Sequence, residues 1–225
     1  MPADCHPGRI AAILAVSLSL GLGGCCSLPP SAATGQPREP FPARFQGRQT
    51  LVFEFQPVWW WPQKARLAAV GYASVDRTAR TCRVTCLSPM GLKLFDLDYT
   101  NGVSRLDTGF PLPGDAARMR EAISFDIVSI FLDSLPPPDA IAVRRCRETE
   151  FTETREGRHI TRVFDAVSGR LLRKTVNAPD GRRTLTFEEY PAIPARDDLP
   201  GVIVLRNHSF GYTLRLLMQE TVVSP

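Results

Sequence analysis

The sequence is poor in the residues and motifs on which most enzymatic and metal chemistry depends. It contains 3 histidines in 225 residues, and only His159 and His208 lie beyond the N-terminal segment. It has no phosphate-binding glycine loop, no His-Glu-x-x-His helix, no Gly-x-Ser-x-Gly nucleophile turn and no dinucleotide fingerprint. We therefore expect no enzymatic activity, no catalytic residue, no bound metal and no cofactor.

The excess of basic residues is too small to indicate a nucleic-acid-binding protein. The chain carries 27 Lys and Arg against 23 Asp and Glu, for a net charge of +4, and the two signs are interspersed. Nucleic-acid-binding domains instead concentrate positive charge on one face. With 44% hydrophobic and 22% charged residues, the composition is that of an ordinary globular protein with one core.

The N-terminal apolar run is too short to span a bilayer. Ile10 to Gly24 comprises 15 residues, whereas a membrane-spanning helix needs about 20. A short apolar segment after Arg9 is typical of a signal peptide. The Leu22-Gly23-Gly24-Cys25 sequence that follows resembles the lipobox of bacterial lipoproteins. It predicts cleavage before Cys25 and acylation of the Cys25 thiol.

These signals divide the chain into three parts. Residues 1–24 are the predicted signal peptide, residues 25–44 the lipidated N-terminus and a Pro-rich tether, and residues 45–225 the folded domain. Proline fixes its backbone and donates no hydrogen bond, so the tether is expected to be a semi-extended spacer. Cys26 follows the acylated residue in place of Asp. By resemblance to the bacterial sorting rule, this implies an anchor in the outer membrane, with the folded domain facing the periplasm.

The folded domain is predicted to be mainly antiparallel β-structure. Runs of β-branched and aromatic residues, several with period-two alternation, are separated by turn signals. Because about ten antiparallel strands must curl to protect their edges, we expect a curved sheet. The predicted strands are Leu51–Phe55, Ala65–Val75, Arg80–Leu87, Leu92–Tyr99, Ile141–Glu150, His159–Asp165, Leu171–Val176, Arg183–Tyr190, Val202–Arg206 and Phe210–Gln219.

One helix is predicted, between Asp115 and Ser134. Asp115 is a suitable N-cap, and three consecutive prolines that begin at Pro136 stop the helix. A helix that is apolar on two sides must be covered on two sides, as in the mouth of a curved sheet. One apolar stripe consists of Met119, Ile123, Ile127, Ile130 and Phe131, and a second of Phe125, Val128 and Leu132.

Two segments carry a family resemblance. One is the Leu87–Leu92 hairpin, followed by Asn101-Gly102, and the other is the Leu199–Leu205 segment before a final amphipathic strand. Both resemble the corresponding segments of the LolA/LolB lipoprotein carriers. The chain is also similar to bacterial lipoproteins of domain-of-unknown-function family 3261. The shared features are the lipobox, the hairpin, a central helix ending in proline and a terminal pattern of Asn207, Gly211, Tyr212, Leu214 and Leu216.

The match to these families runs from about Leu51 to Glu220. It implies an α+β fold in which a half-open, incomplete antiparallel β-barrel lies over an apolar cavity and the central helix acts as a lid or plug. The chain departs from the family in that helix, where Phe125–Val128 replaces a pattern rich in Leu and Ala. The resemblance carries over no catalytic residue.

The cysteines of the folded domain leave two interpretations open. Cys82 and Cys86 share one face of a predicted strand, about 13 Å apart. A disulfide needs Cα atoms within about 7 Å, so these two cannot pair with each other. Either could reach Cys146, or both could be buried free thiols. A zinc site that includes His159 lacks the usual ligand spacing.

All three tryptophans are consecutive. Trp59, Trp60 and Trp61 lie between Pro57 and Pro62, and the flanking prolines favour a loop that joins the first two strands. Tryptophan prefers barrel mouths and bilayer interfaces, where one end of the ring is apolar and the other is wet. We expect these residues to contact membrane or ligand. The alternative is that they pack into the core.

Together these features predict an outer-membrane lipoprotein, anchored through Cys25, whose apolar cavity binds a lipid or acyl chain for lipid or lipoprotein transfer or insertion. The predicted cavity lining is Ile123, Ile127, Phe131, Tyr212, Leu214 and Leu216. The expected partners are the membrane, a lipid-like ligand, and another envelope protein or carrier.

The alternative function is that of a non-enzymatic scaffold or accessory lipoprotein that docks another envelope protein. A carrier needs a cavity of ligand size. A scaffold would have a filled barrel and an exposed apolar patch.

Overall fold

The computed structural model describes residues 36–55, 65–109, 116–190 and 199–223. Within these ranges the chain forms one antiparallel sheet and one helix, α1 (Ala116–Phe131). The strands are β1 (Arg44–Phe55), β2 (Ala65–Asp76), β3 (Thr81–Leu87), β4 (Lys93–Thr100), β5 (Val103–Thr108), β6 (Ile141–Arg144), β7 (Glu148–Arg155), β8 (Arg158–Asp165), β9 (Leu171–Ala178), β10 (Gly181–Glu188), β11 (Val202–Asn207) and β12 (Tyr212–Val223).

The sheet is a meander whose first and last strands meet in its middle. Its order is β5-β4-β3-β2-β1-β12-β11-β10-β9-β8-β7-β6. Strands β5 and β6 are the two edges, so the sheet is not closed, and α1 lies between them in sequence. The fold class predicted from the sequence, a half-open antiparallel barrel with one helix, is therefore confirmed.

The number of strands differs from the prediction, because the described ranges contain 12 rather than about ten. The prediction missed β5, whose polar sequence shows no alternation because most of its side chains are exposed. It also merged β6 and β7, which are separated at Arg145–Arg147 by a turn without glycine or proline. One missed strand and one split strand account for the whole difference.

The chain packs against the sheet before residue 45, where the folded domain is predicted to begin. The backbone amide of Arg38 donates to the carbonyl of Gly169 at 2.7 Å. Gly169 has a φ of 73°, and a Cβ there would lie 2.0 Å from the carbonyl oxygen of Gln36, so the contact needs glycine. Phe41 is 1% exposed, and its ring centroid lies 5.2 Å from that of Phe131 on α1. The last residues of the predicted tether thus belong to the packed body.

The core lies between α1 and one face of the sheet, which we call the inner face. Alternate residues of β4, Phe95, Leu97 and Tyr99, are buried there as their period-two pattern predicts. Helix α1 contributes Ile127, Ile130 and Phe131 to the same cluster, and further members come from β1, β2, β3 and β12. Among the described residues, no helix is long and apolar enough to cross a membrane.

Candidate functional site

A small cavity lies between α1 and the inner face. Its volume is about 20 Å³, which is roughly the space that one water molecule needs. The residues around it include the six that are predicted to line a ligand cavity, namely Ile123, Ile127, Phe131, Tyr212, Leu214 and Leu216. Their contact with a ligand stays a prediction. With α1 in this position, the inner space is filled by side chains of the helix.

Gln49 brings an amide to the wall of this apolar cavity. Its side chain is fully buried on β1 and lines the cavity. The amide nitrogen donates to the carbonyl of Gly47 at 3.2 Å, whereas Oε1 accepts no hydrogen bond from any described residue. A buried acceptor without a partner is costly, so this position favours a hydrogen-bond donor in the cavity.

Asp126 of α1 anchors a polar cluster on the inner face. Arg183 Nε donates to Asp126 Oδ1 at 2.8 Å, Asn207 Nδ2 donates to Oδ2 at 2.9 Å, and the Tyr212 hydroxyl donates to Oδ2 as well. Arg183, Asn207 and Tyr212 are directly paired across β10, β11 and β12, which places them side by side. We call these four residues the Asp126 cluster.

Burial dominates the electrostatics of the Asp126 cluster. It raises the pKa of the Asp126 carboxyl, although the hydrogen bonds from Tyr212 and Asn207 and the charge of Arg183 act to lower it. Burial and the adjacent Asp126 charge raise the pKa of Tyr212 well above its usual value. The Tyr212 hydroxyl therefore stays protonated and serves as a donor.

A second polar cluster lies just beyond the C-terminal end of α1. Lys174 Nζ donates to Asp133 Oδ2 at 2.8 Å and to the backbone carbonyls of Asp133 and Ser129 at 2.6 and 3.2 Å. Arg162 bridges Asp133 Oδ1 at 3.1 Å and Glu153 Oε1 at 2.6 Å. We call Asp133, Lys174, Arg162 and Glu153 the Asp133 cluster. Its cations also interact favourably with the partial negative charge at the C-terminal end of the helix.

In the Asp133 cluster the two cations are buried, whereas the Asp133 side chain is 29% exposed. Lys174 is 0% and Arg162 1% exposed. Burial lowers the pKa of Lys174, and the Asp133 charge only partly opposes it. Burial acts to raise the pKa of Asp133, but the charges of Lys174 and Arg162 outweigh it and hold that pKa below its ordinary value. Asp133 is thus the ionised partner of two buried cations.

Among the described residues, the buried positive charge is confined to one half of the inner face. From β1 to β4 its buried residues are mostly apolar, whereas β8, β9 and β10 carry the buried cations Arg162, Lys174 and Arg183. We call these three residues the cationic row. Arg162 is directly paired with Lys174, and Arg183 lies on the next strand, opposite Val176.

Sequence reasoning missed the cationic row, although a signal for it exists. Each of its members stands two residues from a buried apolar residue of its own strand and therefore faces the same side. Arg162 follows Ile160, Lys174 precedes Val176, and Arg183 precedes Leu185. A charged residue in the apolar register of a strand is the pattern that reveals a buried charge.

The remaining predicted positions are placed as follows. Cys25 and the three tryptophans lie outside the described residues, so their roles stay predictions. Cys82 and Cys86 are buried free thiols on β3, and burial raises the pKa of each to about 12. Cys146 is exposed between β6 and β7. Within the described ranges, His, Cys, Asp and Glu form no group suited to hold a metal ion.

The chain matches no protein-family profile and no curated protein sequence. Solved structures do resemble it. A domain assigned to an outer membrane lipoprotein-sorting protein of Vibrio parahaemolyticus matches with a TM-score of 0.52 at 12% identity, over 80% of this chain and 85% of that chain. The likeness extends to the fold alone.

Two further solved structures match less well. A LolA superfamily protein of Nitrosomonas europaea has a TM-score of 0.41 at 11% identity, over 82% of this chain and 88% of that chain. A DUF1329 family protein of Desulfovibrio piger has a TM-score of 0.45 at 8% identity, over 80% and 85% of the two chains. Membership of family 3261 stays a prediction.

Proposed function

We propose that this protein is an outer-membrane lipoprotein, anchored through Cys25 and facing the periplasm, that binds a lipid or acyl chain between α1 and the inner face. The observation that carries the proposal is the apolar half of the inner face, which a single helix covers. The strands pair with one another along the whole sheet. Displacement of α1 would therefore leave the hydrogen bonding of the sheet intact.

Binding requires α1 to move, because the cavity beneath it is small. A volume of about 20 Å³ is far below the roughly 300–1,000 Å³ of ligand pockets. An acyl chain would take the space that Ile127, Ile130 and Phe131 fill when α1 is docked. Burial of each chain methylene contributes about 0.8 kcal/mol, which offsets the loss of these helix contacts.

The structural neighbour supports the same class of function. The Vibrio parahaemolyticus domain is described as part of an outer membrane lipoprotein-sorting protein. For this chain we propose transfer or insertion of lipids or lipoproteins, by non-covalent binding and without catalysis. In this proposal Trp59, Trp60 and Trp61 contact the membrane or the ligand.

Photo-crosslinking tests the proposal. The mature lipoprotein is incorporated into vesicles that contain phosphatidylcholine with a diazirine on its acyl chain, and labelled peptides are mapped by mass spectrometry. We expect label on β4 and β12. Leu216→Trp, which fills the cavity, should reduce this label about fivefold or more. Arg215→Trp, on the exposed face of the same strand, should not. Equal labelling of both variants would overturn the proposal.

A second candidate function, a scaffold that docks another envelope protein, is favoured by β6. The interior is filled, and the edge strand β6 exposes Ile141 by 70% and Val143 by 50%. An exposed apolar edge strand can pair with a strand of a partner. The scaffold predicts no lipid label on the inner face, together with a protein crosslink from a photoreactive residue at position 143.

A further inference from the structure

The cationic row bears on the charge of the ligand's headgroup, whereas the apolar half of the inner face bears only on its acyl chain. Arg162 and Lys174 are directly opposite each other on β8 and β9. Like charges at directly opposed positions repel, and burial strengthens the repulsion. The arrangement is tolerable only while an anion lies between them. In this structure that anion is the Asp133 carboxylate, which accepts from both side chains.

Asp126 has the same relation to the third member of the row. Its carboxylate accepts from Arg183 Nε and is itself almost fully buried. The Asp126 and Asp133 carboxylates, which accept hydrogen bonds from the cationic row, thus belong to α1 and to the turn that directly follows it. When α1 is displaced, as the proposed function requires, these carboxylates leave with it. The sheet itself then supplies Asp180 to Arg183 and Glu153 to Arg162.

Such a displacement would remove every hydrogen-bond acceptor that the structure gives to Lys174. Its three hydrogen-bond acceptors are Asp133 Oδ2 and the carbonyls of Asp133 and Ser129, all from α1 or its C-terminal turn. In addition, Arg162 Nε has no hydrogen-bond acceptor among the described residues even when α1 is docked. A cation that stays buried without an acceptor is strongly destabilising. A ligand whose chain covers these side chains in the open state must therefore bring an anion to them.

We propose that the ligand is an amphiphile with a phosphate or carboxylate headgroup, which takes the places of Asp126 and Asp133 on Arg183, Lys174 and Arg162. This proposal rests on the proposed function and specifies its ligand. The acyl chain lies along the apolar half of the inner face, from β12 towards β4. The headgroup lies over β8 to β10, where the sheet offers guanidinium and ammonium donors. The two carboxylates of the helix segment act as internal substitutes for the ligand.

The test compares two probes that share one acyl chain. Diazirine-labelled phosphatidic acid and diazirine-labelled diacylglycerol are present at equal mole fraction in phosphatidylcholine vesicles that carry the mature lipoprotein. We expect phosphatidic acid to label the inner-face peptides at least about tenfold more strongly, since charge-assisted hydrogen bonds are worth that much or more. Glycerol 3-phosphate, a phosphate without chains, should not reduce this labelling.

Two double variants remove charge from the row without leaving a buried carboxylate unpaired, because Asp180, the other partner of Arg183, is 44% exposed. Lys174→Gln with Asp133→Asn, and Arg183→Gln with Asp126→Asn, keep side chains that can hydrogen bond to each other. Each should lower the preference for phosphatidic acid to about twofold or less and leave diacylglycerol labelling unchanged. The matched control is Arg173→Gln, which removes a neighbouring charge from the exposed face of β9 and should keep the preference.

The outcomes separate the two proposals. If neither probe labels the inner face, the proposed function fails and the ligand class with it. If both probes label it equally in the unmodified protein, the function stands and the anionic headgroup is wrong. That comparison needs no variant, so it decides even if the double variants unfold. If Arg173→Gln abolishes the preference, or if glycerol 3-phosphate competes, surface attraction or free phosphate explains it and the proposal is overturned.

Discussion

Lys174 shows most directly how a buried charge depends on its surroundings. It is the only lysine of the cationic row, is fully buried, and has a pKa lowered by that burial. Its contacts join β9 to the C-terminal end of α1 through one carboxylate and two carbonyls. Sequence analysis predicted the apolar lining of the cavity, because periodic apolar residues indicate a core. It did not predict these charges, because a charged residue in a strand is ordinarily assigned to the solvent.

The first prediction concerns Lys174→Met. Methionine fills a similar volume but leaves Asp133 with one buried cation instead of two. Removal of one partner of a buried ion pair costs about 3–5 kcal/mol. Because Arg162 remains beside Asp133, we expect the free energy of unfolding to fall by about 3 kcal/mol. Urea unfolding measures it. Arg173→Met, at the exposed neighbouring position, should change stability by less than about 0.5 kcal/mol. Similar values for the two variants would contradict the assignment.

The second prediction concerns pH and Asp133. Its pKa in the folded protein lies below the ordinary value of 3.8 because Lys174 and Arg162 stabilise the carboxylate. A lowered folded-state pKa contributes stability that is present above pH 3.8 and is lost as the pH falls through the folded-state pKa. Asp133→Asn should therefore reduce the acid-induced loss of unfolding free energy below about pH 4. Asp139→Asn, at an exposed position, serves as the control and should leave the acid limb unchanged.

At the scale of elements, α1 and the strands with clear alternation were predictable. Of the two edge strands, β5 was missed and β6 was merged with β7. The helix was predicted over 115–134, and the structure has it at Ala116–Phe131. It was predictable because its apolar residues, which pack against the core along the length of the helix, recur at helical spacing. Strand β5 has Val103 and Arg105 in the solvent and lies at an edge. It pairs with β4 and contacts the core mainly through Leu106. One partly buried side chain does not produce a periodic pattern in the sequence.

The third prediction concerns the segment between β1 and β2, which contains the three tryptophans. Phe55 and Ala65 are directly paired, and Phe55 is also paired with Tyr212 of the Asp126 cluster. If the tryptophans contact membrane or ligand, Trp60→Ala should weaken liposome binding and leave the melting temperature of the protein nearly unchanged. A core role would instead cost about 3–5 kcal/mol. A large loss of stability with unaltered liposome binding would overturn the interpretation. Trp59→Ala and Trp61→Ala are measured beside it.

At the scale of the whole molecule, the contacts of residues 36–43 limit how far the body can lie from its anchor. Arg38 is held at Gly169, and Arg77 Nη1 donates to the carbonyl of Phe41 at 2.8 Å. If Cys25 is acylated, residues 26–37 connect it to Arg38, which makes 13 Cα-to-Cα steps. At about 3.5 Å per residue, they reach at most about 45 Å. The point at which the chain joins the packed body would then lie within about 45 Å of the membrane surface.

The last prediction tests that anchor. Cys25→Ser removes the thiol that the lipobox presents for acylation. We expect the variant to incorporate no labelled palmitate and to accumulate as a precursor that retains residues 1–24, as judged by its mass. Cys26→Ser is the matched control and should be acylated and cleaved normally. If palmitate enters Cys25→Ser at the level of the unmodified protein, Cys26 is the acylated residue and the anchor lies one position further along the chain.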